Sequence, residues 1–205
     1  MMADLWLSHL TLALLAFLLT PGFGLGAVWQ AVRLMVLLAL SFVPIEGLSL
    51  AAYTHSFTGD AAITSLVALL YLAGVRVGLV PCMERARSIQ IVVVMAALGL
   101  FLYPATLGLS YFDPYRLGYQ PRHLILFIGV VAFALLALGN RLGACMLGLA
   151  TLAFSLGFKS SPNYWDYLID PFIALYSCVA VTGYFVRMAW AGKSAKRDTR
   201  LPAQA

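Results

Sequence analysis

The sequence predicts an all-α fold, a polytopic transmembrane helix bundle of about seven spans with the N-terminus outside and the C-terminus in the cytoplasm. Of the 205 residues, 62% are hydrophobic and only 10% are charged, and the mean hydropathy is +0.92. Soluble domains are closer to half apolar and a quarter charged. The core of a chain this long cannot absorb so much apolar surface. The composition therefore argues against a soluble enzyme, a nucleic-acid-binding domain, a disordered chain and a disulfide scaffold.

Seven apolar runs account for the predicted spans, because a membrane-crossing helix needs about 20 mostly apolar residues. In order, they cover residues 5–20, 26–45, 61–80, 88–109, 123–138, 143–158 and 171–190. Turn-forming Pro, Gly, Asp and Asn residues separate them. The first, fifth and sixth runs are the shortest, at about 16 residues each. We expect residues 1–192 to form one transmembrane domain and 193–205 a short, basic, disordered cytoplasmic tail.

The distribution of Lys and Arg sets the predicted orientation, because cytoplasmic loops of membrane proteins are enriched in both. With seven spans, ten of the thirteen basic residues fall on one side, and only Arg116, Arg122 and Lys159 fall on the other. The ten are Arg33, Arg76, Arg85, Arg87, Arg141, Arg187, Lys193, Lys196, Arg197 and Arg200. The first run lacks the basic start of a signal peptide, so we expect it to be a span. The pattern predicts a multi-pass protein of a bacterial-type inner membrane.

Most of the remaining polar chemistry falls on the predicted outer side. It is concentrated in three loops, 46–60, 110–122 and 159–170. The predicted outer side, counted with the span ends next to it, holds all three histidines and six of the eight acids: His9, His55, His123, Asp4, Glu46, Asp60, Asp113, Asp166 and Asp170. We therefore expect any functional site to face outward.

Several of these outer residues fit ordinary structural roles. Asp60 and Asp170 each precede a predicted helix and are expected to cap its N-terminus, Asp170 with a proline directly after it. Asp113, also followed by proline, is expected to start a turn. Lys159 is expected to snorkel from the end of the sixth span. The tyrosines and tryptophan of the outer loops are expected to belong mostly to an interfacial aromatic belt.

Three residues are candidates for acid–base catalysis. Asp166 lies between Trp165 and Tyr167, and aromatic walls raise the pKa of a carboxyl group. His55 lies in the middle of the first outer loop and could exchange protons near neutral pH. Glu46 follows a predicted helix C-terminus, where a negative charge is unfavourable and calls for a partner or for full solvation.

Five residues are candidates for substrate binding. Arg116, Arg122 and His123 place up to three positive charges near one outer interface, where they could hold a phosphate or another anionic head group. The alternative is that they pair with nearby carboxylates or with lipid phosphates without selectivity. Tyr115 and Trp165 add aromatic surface, and aromatic rings combined with carboxylates often grip sugars.

Neither a metal nor a cofactor is predicted. The three histidines are dispersed and form no His-Glu-x-x-His pair. The glycine loops that cradle phosphates and the Gly-x-Ser-x-Gly nucleophile elbow are missing from the sequence. Expected partners are membrane lipids, an anionic or lipid-linked ligand at the outer face and another membrane protein, but no nucleic acid.

Three functions from different classes remain open. The first is a non-catalytic subunit or assembly partner in an envelope lipid or glycan pathway, favoured by the small size, the missing motifs and the nearly charge-free span centres. The second is a small membrane enzyme acting on a lipid-linked or anionic substrate at the outer face. The third is a channel or transporter, for which a proline at position 104 in the fourth span is the only support.

Overall fold

The chain is all-helical in the computed structural model, with 73% of its residues in helices. The structure describes the backbone of residues 2–109 and 112–198 and the side chains of 6–56, 59–109 and 112–190. The α-helices of the described part are α1 (Met2–Leu19), α2 (Ala27–Ser41), α3 (Leu50–Thr58), α4 (Ile63–Val77), α5 (Arg85–Thr106), α6 (Arg122–Ala137), α7 (Arg141–Ser155), α8 (Trp165–Leu168) and α9 (Pro171–Asp198). A 3-10 helix, η1, covers Pro114–Gly118, and strands β1 (Pro44–Ile45) and β2 (Leu48–Ser49) pair antiparallel.

The all-α prediction is confirmed, and each of the seven apolar runs overlaps one long helix: α1, α2, α4, α5, α6, α7 and α9. Within the described residues, two helical segments are long and apolar enough to cross a membrane, Arg85–Thr106 and Pro171–Trp190. Counted over the residues whose side chains the structure describes, the other apolar helices have 10–17 residues. At 1.5 Å per residue a 15-residue helix measures about 22 Å, less than the hydrocarbon core of about 30 Å. Helix length therefore supports two spans and leaves the seven-span topology unconfirmed.

The predicted first outer loop contains structure that the apolar pattern does not reveal. Glu46 and Gly47, with φ angles of 49° and 87°, form the two-residue turn of the hairpin between β1 and β2. Ser49 then caps α3 by accepting a hydrogen bond from Ala52 N at 3.2 Å. His55 therefore lies in the last turn of a helix rather than in mid-loop. Glu46 lies in a turn and not at the end of α2.

The helices place their polar groups at two opposite ends. At one end, the guanidinium groups of Arg33 and Arg76 donate to Phe17 O, at 2.7 and 2.6 Å, so both cap the C-terminus of α1. Asn140, in the turn between α6 and α7, donates there to Arg87 O at 2.8 Å. We call this the basic end; its basic residues are Arg33, Arg76, Arg85, Arg87 and Arg141. The opposite end, which holds residues 44–63, 112–122 and 159–171, is called the cavity end.

Two apolar clusters hold the helices together. The larger cluster contains residues of α4, α5, α6, α7, α9 and the segment around α8. The smaller cluster packs α1 against α4 through residues such as Leu14, Phe17 and Leu66. The outer faces of the helices are apolar as well. On α6, Leu126, Val130 and Phe133 are 68%, 68% and 73% exposed. An apolar face of this kind needs lipid or another protein to cover it.

Candidate functional site

The segment 163–170, which connects α7 to α9, is folded into the bundle instead of lying at its surface. Tyr164, Trp165 and Tyr167 are all buried, Trp165 to 1% exposure. The ring of Phe154 on α7 packs against both tyrosine rings, with centroids 5.0 and 5.3 Å apart. The expectation that these aromatic residues form an interfacial belt is therefore wrong. They belong to the core because the short helix α8 turns them inward.

A set of side-chain to backbone bonds fixes this segment against η1. The Asn163 side chain accepts from Trp165 N at 2.9 Å and donates to Tyr115 O at 3.0 Å. The indole Nε1 of Trp165 donates to Pro114 O at 2.9 Å. A Cβ atom on Gly118 would lie 1.7 Å from Asn163 Oδ1, so the close approach requires glycine there. The predicted turn role of Asp113 is confirmed, since its Oδ1 accepts from Tyr115 N at 3.0 Å.

Lys159 is buried to 5% exposure and does not snorkel, in contrast to the sequence prediction. Its Nζ donates to Ala61 O at 3.1 Å and to Asp166 O at 2.9 Å. Its backbone N–H and C=O pair with the hydroxyl of Tyr167, at 3.0 and 2.8 Å. A buried ammonium group is tolerated only when it is hydrogen-bonded, and these two carbonyl groups meet that need. Since one lies just before α4 and the other in the buried segment, Lys159 links the two.

Asp170 links two helix N-termini. Its Oδ1 accepts from Ile173 N at 2.9 Å, which confirms the predicted cap of α9. Its Oδ2 accepts from Ala62 N, also at 2.9 Å, at the start of α4. The predicted capping of α4 by Asp60 is wrong: the N-cap residue is Ala62, which has no side-chain cap, and the carboxylate that binds its amide comes from Asp170.

Asp166 and Tyr115, two of the predicted site residues, are hydrogen-bonded to each other. The phenol of Tyr115 lies 3.1 Å from each carboxylate oxygen of Asp166, and Ser161 Oγ donates a short hydrogen bond to Oδ2. Burial raises the pKa of Tyr115, and the negative charge of Asp166 raises it further. The phenol therefore stays protonated at neutral pH and acts as the donor. The rings that flank Asp166 in the sequence, Trp165 and Tyr167, point into the core.

These groups surround a cavity of about 360 Å³ at the cavity end. Its polar lining comprises three carboxylates, one ammonium and four hydroxyl groups, with Leu102, Ile169 and Pro171 as the apolar part. The carboxylates are those of Asp60, Asp166 and Asp170, the ammonium is that of Lys159, and the hydroxyls belong to Tyr103, Thr106, Tyr115 and Ser161. The lining is thus acidic and rich in groups that hydrogen-bond to hydroxyls.

His55 stands beside Asp60 at one wall of the cavity. Its Nδ1 lies 3.2 Å from Asp60 Oδ1 and 3.1 Å from Ser8 Oγ. Asp60 Oδ1 has no aligned hydrogen-bond partner in the part of the chain that the structure describes, so the two side chains are in close contact without a formed hydrogen bond. A serine–histidine–aspartate relay needs the serine and the carboxylate on different ring nitrogens. Both approach the same nitrogen here, so this trio is not such a relay.

The remaining predicted residues lie apart from the cavity. Glu46 is exposed in its hairpin turn, and Arg116, Arg122 and His123 are exposed on η1 and in the first turn of α6, which contact each other. The structure therefore unites Asp166 with Tyr115, brings His55 to the cavity wall through Asp60, and gives Trp165 a structural position.

The polar lining residues that sequence reasoning misses are Asp60, Tyr103, Thr106, Lys159, Ser161 and Asp170. Asp60, Lys159 and Asp170 are missed because their sequence neighbours suggest ordinary structural roles. One signal was present for Lys159, which is a basic residue on the predicted outer side, where few basic residues are expected. Within the described residues, no group of three or more His, Cys, Asp or Glu side chains could hold a metal ion. Comparison with protein-family models, curated proteins and solved structures finds no match.

Proposed function

We propose that the chain is a multi-pass protein of a bacterial-type inner membrane and a non-catalytic subunit or assembly partner in an envelope lipid or glycan pathway. In this proposal, seven helices cross the bilayer, the basic end faces the cytoplasm and the cavity end faces outward. The cavity holds the hydroxyl-rich head group of a lipid-linked ligand. The observation that carries the proposal is the polar lining of this cavity at the ends of lipid-length helices α5 and α9.

The charge distribution supports the membrane placement. The arginines of the basic end cluster where helices α1, α4 and α6 finish, as expected for a cytoplasmic face. The apolar outer surface of α6 is what a lipid-facing helix presents. The five shorter helices can cross if the bilayer thins around them, or if polar loop residues at their ends complete the span.

The cavity lining supports a hydroxyl-rich head group. Carboxylates accept hydrogen bonds from hydroxyl groups, while the phenol of Tyr103 can donate one to a hydroxyl oxygen. Tyrosine rings provide an apolar wall beside these polar groups. Three carboxylates against one ammonium would repel an anionic group inside the cavity.

The exposed cations near the cavity support a phosphate linkage in the ligand. Arg116 follows Tyr115, whose side chain lines the cavity, and Arg122 and His123 begin the neighbouring helix α6. A lipid-linked sugar carries its phosphate between the lipid and the sugar. The sugar would occupy the cavity while the phosphate contacts these cations at the surface.

The hydrogen bonding of the cavity supports binding rather than catalysis. Both oxygens of Asp166 accept from Tyr115, and Lys159 donates to two backbone carbonyls. Groups held in this way orient a ligand well, but they are poorly placed to give up or take a proton. Binding alone is the function expected of a non-catalytic subunit.

A binding experiment with a short prenyl phosphate that carries one hexose tests the proposal. We expect the full chain in nanodiscs to bind this probe about tenfold or more tightly than the same prenyl phosphate without the sugar, since several hydrogen bonds depend on the hexose. Thr106→Trp should fill the cavity mouth and remove the difference. Thr182→Trp on α9 is the matched control, because Thr182 is also exposed but does not line the cavity.

Equal affinity for the two probes would overturn the ligand class, and so would an equal effect of the two tryptophan variants. Mass spectrometry of the recovered probe gives a second readout. An unchanged probe is expected, and cleavage or transfer of the hexose would overturn the non-catalytic assignment.

The contact between His55 and Asp60 favours one second candidate, a small enzyme acting on the same lipid-linked substrate. Asp60 lines the cavity and His55 lies 3.2 Å from it, so the pair could take a proton from a substrate hydroxyl. If the recovered hexose probe is altered, His55→Gln and Asp60→Asn should abolish the reaction. Glu46→Gln should leave it unchanged.

A further inference from the structure

A second concavity lies between the two longest helices, on the half of the molecule near the basic end. It is a groove of about 170 Å³ between α5 and α9. Its wall is mainly apolar and consists of Ile89, Val92 and Val93 from α5 and Ala180, Val181, Tyr184 and Phe185 from α9. Both helices are long enough to cross a bilayer, so the groove opens where acyl chains would surround the protein.

One end of the groove is positively charged. Arg85 and Ser88, in the first turn of α5, line it together with the apolar residues. Arg85 is exposed and takes part in no hydrogen bond or ion pair with the described residues. The N-cap residue Glu84 makes no side-chain cap bond and lies 3.6 Å from Arg87 instead. The free amides at the start of α5 add the positive end of the helix dipole to the charge of Arg85.

We propose that this groove holds an anionic phospholipid of the surrounding bilayer. One acyl chain lies between α5 and α9, and the phosphate binds Arg85 and the free amides at the start of α5. Arg85 and Val93 are eight residues apart, about 12 Å along the helix, so the charge lies at the head-group level when the apolar wall lies among the chains. This inference rests on the membrane placement proposed above and not on the ligand of the cavity.

The charge balance selects an anionic lipid over a zwitterionic one. Glu84 compensates Arg87, and no carboxylate of the described residues compensates Arg85. A phosphatidylcholine phosphate brings its own ammonium group to this positive end, whereas phosphatidylglycerol brings none. The preference should therefore depend on Arg85 itself and not on the overall basic charge of this face.

Native mass spectrometry of the full chain tests the proposal directly. The protein is assembled in nanodiscs of equimolar phosphatidylglycerol and phosphatidylcholine with identical acyl chains, and the lipids that stay bound on release are counted. We expect phosphatidylglycerol to be retained about tenfold over phosphatidylcholine, as one charge-assisted contact can provide. Arg85→Gln should bring the ratio close to one. Arg141→Gln, which removes an exposed arginine of the same end outside the groove, should leave it unchanged.

A variant on the opposite helix tests the apolar part of the groove. Ala180→Phe should fill the groove and lower phosphatidylglycerol retention at least fivefold, whereas Val130→Phe on the lipid-facing surface of α6 should not. Equal retention of the two lipids by the unaltered chain would overturn the proposal. Equal losses in Arg85→Gln and Arg141→Gln, or in the two phenylalanine variants, would overturn it as well. Failure of the chain to enter nanodiscs at all would instead contradict the membrane placement.

Discussion

Charged residues at the cavity end, among them Lys159 and Asp170, are held by backbone groups from distant parts of the chain. Lys159 and Asp170 both bind the start of α4, about a hundred residues earlier in the sequence. A sequence pattern sees only the neighbours of such a residue, so it assigns local roles such as a helix cap or a snorkelling side chain. The cap of α9 by Asp170 is local and was predictable, but the bond to Ala62 was not.

Gly118 provides the sharpest test of how the buried segment is anchored. Gly118→Ala should lower the free energy of unfolding by about 2–4 kcal/mol, because the added methyl group would displace the Asn163 side chain and its hydrogen bonds. Thermal unfolding in a mild detergent measures the change. Gly129→Ala on α6 is the control, because a Cβ atom there meets nothing within 4 Å. Similar melting temperatures for the two variants would contradict the packing described.

A substitution at Lys159 tests whether its ammonium group is buried in the protein or reaches solvent. Lys159→Met should lower the free energy of unfolding by about 1–3 kcal/mol, because the carbonyls of Ala61 and Asp166 lose their donor inside the protein. Arg122→Met, which removes an exposed charge, should change it by less than about 0.5 kcal/mol. Thermal melting again gives the readout. A loss no greater for Lys159→Met than for Arg122→Met would mean that the ammonium group lies in solvent.

The raised pKa of Tyr115 predicts how stability depends on alkaline pH. Since burial and Asp166 raise the pKa in the folded protein, Tyr115 stabilises the fold below pH about 10, and this contribution is lost as the pH rises towards its folded pKa. Tyr115→Phe should melt at a lower temperature at pH 7, having lost a bond worth about 1–2 kcal/mol. The gap to the unaltered chain should narrow above pH 10. Parallel melting curves from pH 7 to 11 would contradict the assignment.

At the level of elements, the apolar runs predicted the long helices well and the polar loops poorly. Each run overlaps a helix because a long apolar stretch between turn signals can satisfy its backbone hydrogen bonds within itself only as a helix. The hairpin, α3, η1 and α8 are short, and tertiary contacts stabilise them more than their own composition does. The candidate site lies in these segments, so Asp166 and Tyr115 were recognised individually but the cavity around them was not.

The hairpin turn at Glu46 yields a prediction for an element. A two-residue turn with positive φ at both positions favours asparagine followed by glycine, and Glu46 occupies the first position with φ 49°. Glu46→Asn should therefore raise the free energy of unfolding by about 0.5 kcal/mol and leave binding of the hexose probe unchanged. Glu84→Asn is the control for loss of a negative charge. If Glu46→Asn lost probe binding while Glu84→Asn kept it, Glu46 would have to contribute to ligand binding, contrary to the account.

At the level of the whole molecule, positive charge and polar cavity lie at opposite ends of an apolar bundle. The basic end gathers the arginines that cap α1 and begin α5 and α7, and the cavity end gathers Asp60, Asp166 and Asp170. Composition alone averages these two surfaces into a net charge of +5. This separation of charge supports the proposal that the chain is an oriented membrane protein with a single recognition face.

The central claim, an outward cavity that binds a lipid-linked sugar, is tested most directly by site-specific labelling at Thr106. The native cysteines Cys82, Cys145 and Cys178 are replaced by alanine, Thr106→Cys is introduced, and a membrane-impermeant maleimide is applied to intact cells and right-side-out vesicles. We predict that position 106 is labelled without permeabilisation and that the hexose-bearing prenyl phosphate, but not the bare prenyl phosphate, protects it. Labelling that requires permeabilisation, or equal protection by both probes, would contradict the account.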